Sequence, residues 1–280
     1  MHIHARIRIG SLAVAVAAAL PAAGCSGGTS APGTSAKTRT PAAMNAAEVI
    51  RSVSNQAKQA NSATVVMNIR STGGFSMQGT MKIRTRPVFA AAMHMSELSS
   101  NGQTIPGGIK EIINGNAVYL KFPALSQQSG KPWVRISMAQ LNGATGNTFG
   151  NLSQQMRQQD PLSAARMLGA SKDVRAVGKG TVDGVATTHY HGTFSYNKAL
   201  SLLTPGLRKM MRQTASSMNT GSITFDAWVD GENHVRLVTE SYDSGMMGHV
   251  TSSVRFVSIG QPVNIKPPPA SEVASLPGVG

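Results

Sequence analysis

Apolar and polar residues alternate with period two through most of the chain, which predicts β-strands that bury one face. The clearest run covers 75–85, where Phe75, Met77, Gly79, Met81 and Ile83 share a face and Ser76, Gln78, Thr80, Lys82 and Arg84 take the other. The same rhythm predicts a strand over 63–70, with Val65, Met67 and Ile69 together, and one over 88–96, with Phe89, Ala91, Met93 and Met95 together. Further strands are expected over 109–114, 117–122, 132–136, 172–180, 185–195, 222–230, 234–243 and 249–259. Thr72-Gly73-Gly74, Asn114-Gly115-Asn116 and Asp183-Gly184 supply hairpin turns between neighbouring runs. The period becomes helical in three places. Over 46–60, Val49, Val53 and Ala57 recur four apart with Ile50 beside them; Asp160-Pro161 opens a helix that Gly169 can stop; and 197–218 reads as helix broken at Thr204-Pro205-Gly206.

Strands interrupted by helical insertions predict an α+β domain spanning 46–270, ahead of a disordered tail at 271–280. A single-faced antiparallel sheet of this size twists and curls, and its apolar face must be covered. Inserted helices on the concave side give a half-barrel, and a curved sheet wrapped around helices can leave an apolar cavity. Met67, Phe75, Met77, Met81, Ile83, Phe89, Met93 and Met95 fall on the inward faces and are the candidate ligand-binding residues. Methionine is flexible and polarizable, so it suits a surface that must fit apolar groups of variable shape, although each one also suits ordinary core packing.

The first 25 residues carry a different signal. Arg6 and Arg8 precede an apolar run from Leu12 to Leu20, then the small residues Ala22, Ala23 and Gly24, then Cys25. This reads as an export signal over 1–24, too short to span a bilayer stably. A cysteine directly after the cleavage region resembles the lipobox of bacterial lipoproteins, with Ala22 where Leu, Val or Ile is usual. By that resemblance Cys25 becomes the lipid attachment site. Residues 26–45 are rich in Ser, Thr, Gly and Pro without periodicity, so 25–45 reads as a flexible tether.

Composition then narrows the chemistry. The 280 residues hold 26 Lys and Arg against 12 Asp and Glu, a net charge of +14, yet only 14% are charged. Scarce acids, not dense basic patches, set that sign, and removal of 1–24 leaves +12 outside the cell. Nucleic acid is therefore excluded as a partner, and anionic headgroups or wall polymers are the expected counterpart, with Arg208, Lys209 and Arg212 as the densest basic face. The single cysteine is used by the anchor, so no disulfide and no cysteine nucleophile remain. No cofactor or catalytic motif is present: there is no G-x-S-x-G, no H-E-x-x-H and no P-loop, and enzymatic activity is not expected. Copper binding through Met93-His94-Met95 is opposed by alternation, which turns His94 away from its neighbours, and Met246-Met247-x-His249 sits in a Gly-containing turn without a dense Met/His tract around it. His189 and His191 share a strand face with no acid beside them in sequence, and read as sheet histidines, not a zinc site.

The stretch GKGTVDGVATTHYHGTF from Gly178 to Phe194 resembles a strand pair of the actinobacterial LppX/LprG-like lipoproteins. Asn114 to Lys121, Lys131 to Val134, Asp160 to Leu162 and Ala227 to Asp230 follow in the same order. The resemblance implies a LolA/LolB-type half-barrel on the outer face of the cytoplasmic membrane, carrying a lipid or glycolipid ligand. A non-transporting envelope sensor or interaction module with a filled cavity is the alternative. Cys25→Ser is expected to abolish lipidation: intact-mass measurement should lose the diacylglycerol increment, and the protein should leave the detergent phase on partitioning.

Overall fold

The computed structural model describes residues 44–137, 162–203, 205–206, 208–209, 212, 221–245 and 247–275, all within one compact unit. Cys25, Asp160-Pro161, Thr204, Met246 and the last five residues lie outside the described set. Helix α1 (Ala46–Gln59) begins on a capping box: Glu48 N–H donates to Asn45 Oδ1 at 3.0 Å and Asn45 N–H donates to Glu48 Oε2 at 2.9 Å. It leads into β1 (Ser62–Ser71), β2 (Phe75–Arg84), β3 (Ala90–Ser100), the short β4 (Gln103–Thr104), β5 (Ile109–Asn114) and β6 (Ala117–Lys121). Helix α2 (Pro123–Ser129) precedes β7 (Trp133–Ser137), and α3 (Ser163–Met167) runs into a tight turn over 168–170. Then come β8 (Arg175–Val182), β9 (Val185–Ser195), α4 (Tyr196–Ala199), β10 (Ser222–Asp230), β11 (Val235–Ser244), β12 (Gly248–Ile259) and β13 (Val273–Ser275).

Among the described residues all the strands join one curved, open, mostly antiparallel sheet in the order β13-β7-β6-β5-β3-β2-β1-β12-β11-β10-β9-β8, with β4 on the end of β3. Two meanders, β1 to β7 and β8 to β12, meet where β1 pairs with β12 from Ala63↔Ile259 to Ser71↔Val250. Side chains latch both ends of that seam. Ser62 Oγ donates to the Gln261 carbonyl at 2.7 Å, and at the far end His249 N–H donates to Thr72 Oγ1 at 2.9 Å. Gly73 donates its N–H to the Met247 carbonyl at 2.9 Å, and a Cβ on it would stand 2.8 Å from that oxygen, so no larger residue fits.

The α+β half-barrel is as the alternation predicts, and the differences are local. β8 starts three residues later than expected and ends two later. Helix α2 is unexpected, though Pro123 at its first turn and Gly130 in a left-handed conformation (φ 67°) frame it. Gly169 lies within the turn after α3, not beyond it; its Cβ would meet Ser54 Oγ at 2.7 Å, so glycine there lets α1 approach. Val273–Ser275, in the segment expected to be tail, pairs in parallel with β7.

Helices α1 and α3 and the 196–203 segment cover the concave face. Val49, Ile50, Val53 and Ala57 pack into one core with Val65, Ile83, Leu162, Leu168, Phe225 and Phe256. Two buried hydrogen bonds fasten α1 to α3: Ser54 Oγ to the Arg166 carbonyl at 2.8 Å, and Arg166 Nε to the Ala57 carbonyl at 3.0 Å. Two carboxyls break the apolar pattern of this face. Glu111 stands opposite Met93 and Leu120, and Glu240 opposite Phe225 and Ser252. Burial pushes both up to about 7 from an ordinary 4.5.

Ile50, 2% exposed at the centre of the α1 contact, sets a stability test: Ile50→Ala should cost about 2–5 kcal/mol in denaturant unfolding. The buried acids set a second. The unfolded chain ionises them near 4.5 and the folded chain near 7, so the stability present below that lower value is lost as pH rises towards 7. Each group can remove about 3 kcal/mol at most, and Glu240→Gln should shrink the loss between about pH 5 and about pH 8 by roughly half. Equal unfolding midpoints at the two pH values in the unmodified protein would contradict this.

Candidate functional site

Register places the predicted inward residues on one surface, because directly paired residues of antiparallel strands share a face. Met81 pairs with Val65 on one side and Met93 on the other, and Ile83 pairs with Ala63 and Ala91. Met67 and Met95 both pair with Gly79, so no side chain separates them within that row. A bulge between Gln78 and Gly79 holds Gly79 close to β3, where a Cβ would come within 2.6 Å of the His94 carbonyl. Met77 pairs with Ile69 and Leu98, and Phe75 stands two residues before it on the same face.

The eight candidates differ in how far they are covered. Met81 and Ile83 are buried in the helix-covered core. Met67, Phe89 and Met93 are half-buried against its margin, and Phe89 also touches the smaller cluster of Ile113 and Val118. Phe75, Met77 and Met95 are half-buried beyond that margin. The described part of the face thus passes from packed core at Ile83 to partly open surface at Phe75. A shallow depression of about 490 Å³ lies elsewhere, against the solvent side of α1 at Met44, Glu48, Arg51 and Gln56, and has no part in this face.

Glu111 and Glu240 belong to this face and were not among the candidates. Each has its Oε1 shielded from solvent without a hydrogen-bond partner. Glu240 Oε2 accepts only a long contact from Ser252 Oγ, 3.5 Å. Two tyrosines stand near Glu240: burial, with the neighbouring charges of Tyr242 and Glu240, pushes Tyr196 up to about 12, and burial and Glu240 raise Tyr242. The sequence did hold a signal for both acids. Glu111 is in phase with Ile109 and Ile113, and Glu240 with Val238 and Tyr242, in a chain with only 12 acids.

The other polar clusters resolve into structural pairs. Asp226, on β10 opposite His191, accepts from His189 Nε2 at 2.7 Å and His191 Nδ1 at 3.0 Å through one oxygen, and His189 stacks on Trp228 at 4.4 Å. An acid therefore does stand beside these histidines, supplied by the neighbouring strand and not by their own segment. His249 bridges Ser241 (3.0 Å) and Asp243 (2.8 Å), but Asp243 is 90% exposed and water competes for every bond in the chain. Among the described residues no three His, Cys, Asp or Glu side chains are grouped to hold a metal ion. Arg208 does not face solvent as one of a basic triplet: it donates to the carbonyls of Leu200, Ser201 and Leu203, closing the turn after α4.

No family model matches the chain. An uncharacterized 31.2 kDa Streptomyces griseus protein, from the rplA–rplJ intergenic region, is 31% identical over 156 residues, which are 52% of this chain and 49% of that protein. A lipoprotein candidate of Streptomyces coelicolor is 27% identical over 149 residues, 52% of this chain and 43% of its own length. The chain thus spans about half the length of the curated relatives it matches. Among solved structures, LprF from Mycobacterium bovis superposes with a TM-score of 0.51 at 17% identity, covering 80% of this chain and 96% of that one. The lipoprotein LppX of Mycobacterium tuberculosis aligns over 79% of this chain and 97% of its own, at 18% identity and a TM-score of 0.43. The chain shares the fold of LprF.

Proposed function

We propose that the protein is anchored through lipid on Cys25 at the outer face of the cytoplasmic membrane, and that the concave face of its 46–270 domain carries an apolar, acylated ligand within the cell envelope. Residues 1–24 act as the signal peptide and 25–45 as the tether. The observation that carries this reading is the gradient of cover on the inner face: Met67, Phe75, Met77, Met93 and Met95 lie half-buried beside a closed core instead of inside it. Acyl chains laid on them bury apolar surface at about 25 cal/mol per Å², and thioethers adapt to chains of different length and branching. Carriage is passive. It needs no bond made or broken, in keeping with the dispersed, solvent-exposed or purely structural pairing of the polar side chains described above.

The burial of Met81 and Ile83 favours a second reading, in which the cavity is filled by the protein's own core and the domain serves as an envelope interaction module. Native mass spectrometry of the full chain purified from its own membrane separates the two. Carriage predicts a co-purifying lipid mass, and Met67→Lys or Met95→Lys, each a charge on a half-buried apolar position, should lower lipid occupancy by about tenfold while the protein stays folded. A delipidated full chain that takes up no lipid from vesicles of its native membrane lipids would exclude carriage and leave the interaction module.

A further inference from the structure

We propose that Glu111 and Glu240 are the polar recognition points of the concave face: their carboxyls hydrogen-bond the hydroxyl and ester groups of a neutral acylated ligand and turn away anionic headgroups. The inference rests on the carrier reading and specifies its ligand chemistry.

Three observations converge on these two residues. Both side chains belong to the inner face, by pairing of Glu111 with Met93 and Leu120, and of Glu240 with Phe225 and Ser252. Both keep Oε1 away from solvent with no partner, an arrangement that costs stability unless something supplies the missing hydrogen bond. And the two acids bracket the methionines. One row of the face runs Glu111, Met93, Met81, Val65; another runs Glu240, Ser252, Ile69, Met77. Met67, Gly79 and Met95 form the row between them. Five strand spacings separate β5 from β11, roughly 24 Å along the sheet. An apolar strip with a hydrogen-bonding group at each end can seat the hydroxyl and ester head of a neutral acylated molecule at either end, with its acyl chains along the methionines.

The protonation chemistry sets the class of that molecule. Burial keeps both carboxyls largely in balance between neutral and ionised forms near neutrality. A neutral carboxyl donates to an ester carbonyl and accepts from a hydroxyl, and the ionised form still accepts from a hydroxyl but repels a phosphate in a low-dielectric site. Tyr196 and Tyr242 beside Glu240 hold their protons under these conditions and offer additional donors without adding charge.

The test compares two lipids with the same acyl chains, dioleoylglycerol and dioleoylphosphatidylglycerol, binding to the delipidated full chain in detergent. The unmodified protein should bind dioleoylglycerol at least about tenfold more tightly. The double variant Glu111→Leu with Glu240→Leu should weaken dioleoylglycerol by about five- to tenfold, leave the phospholipid unchanged or improved, and raise the melting temperature, because two unpartnered buried acids have been removed. Glu111→Gln and Glu240→Gln, which keep a neutral hydrogen-bonding group and the side-chain shape, should retain most of the affinity. Equal affinity for the two lipids, or a double Leu variant that binds dioleoylglycerol as the unmodified protein does, would overturn the assignment and leave carriage standing. If the unmodified protein bound neither lipid, the carrier reading would fall and this one with it.

Discussion

The pairing of β1 with β12 is the contact on which everything else rests. Each meander alone is a ribbon of hairpins with an unpaired edge and an uncovered apolar face. The seam turns them into one sheet, and only then is there a concave surface broad enough for α1 and α3 to seat on. Its register runs from Ala63 to Ser71 on β1, and its ends are fixed by the Ser62–Gln261 and Thr72–His249 hydrogen bonds. Because β1 and β12 are separated by nearly the whole domain, loop closure on that scale must precede the reward of pairing, which places the domain among slow-folding topologies.

The outer edges of the sheet are guarded by other means. At one end β8 presents Arg175, Lys179 and two glycines with a bulge between Ala176 and Gly178, features that discourage another strand from adding on. At the other end the three-residue β13 closes the β7 edge in parallel, and Lys131 Nζ donates to the Ser271 carbonyl at 2.8 Å to hold that return segment. The sheet therefore stays open as a half-barrel, with β8 as its longer described edge, broken by the bulge and the glycines.

Most strands were legible because a period of two over five or more residues is hard to produce otherwise, and because turn chemistry marks the joints. Asp183-Gly184, for example, takes positive φ at both positions, 49° and 78°, as a two-residue hairpin demands. The inward placement of the methionines followed from the same alternation. What sequence could not supply was anything decided across the sheet. The seam pairs segments with no local signature for each other. Asp226 reaches His189 and His191 from an adjacent strand, and Arg208 spends its guanidinium on three carbonyls instead of solvent. Glu111 and Glu240 were visible as letters out of phase with their charge, but their meaning depends on burial, which is a property of the assembled face. Helix α2 is illegible for a milder reason: its nearly two turns, PALSQQS, have no apolar stripe, and only the opening proline and the following glycine mark it.

The capping box at Asn45 has a geometric consequence. Met44 Sδ accepts from Asn233 Nδ2 at 3.8 Å, so the chain enters the domain beside the β10–β11 turn, at the end of the sheet where β1 begins. Along β1 and β2, cover is complete at that end, around Ala63 and Ile83, and fades towards Thr72-Gly73-Gly74. The described chain therefore begins at the closed end of the sheet, and the partly open rim lies at the opposite pole. In the anchored carrier proposed above, loading and handover would take place at the pole farthest from the point of attachment.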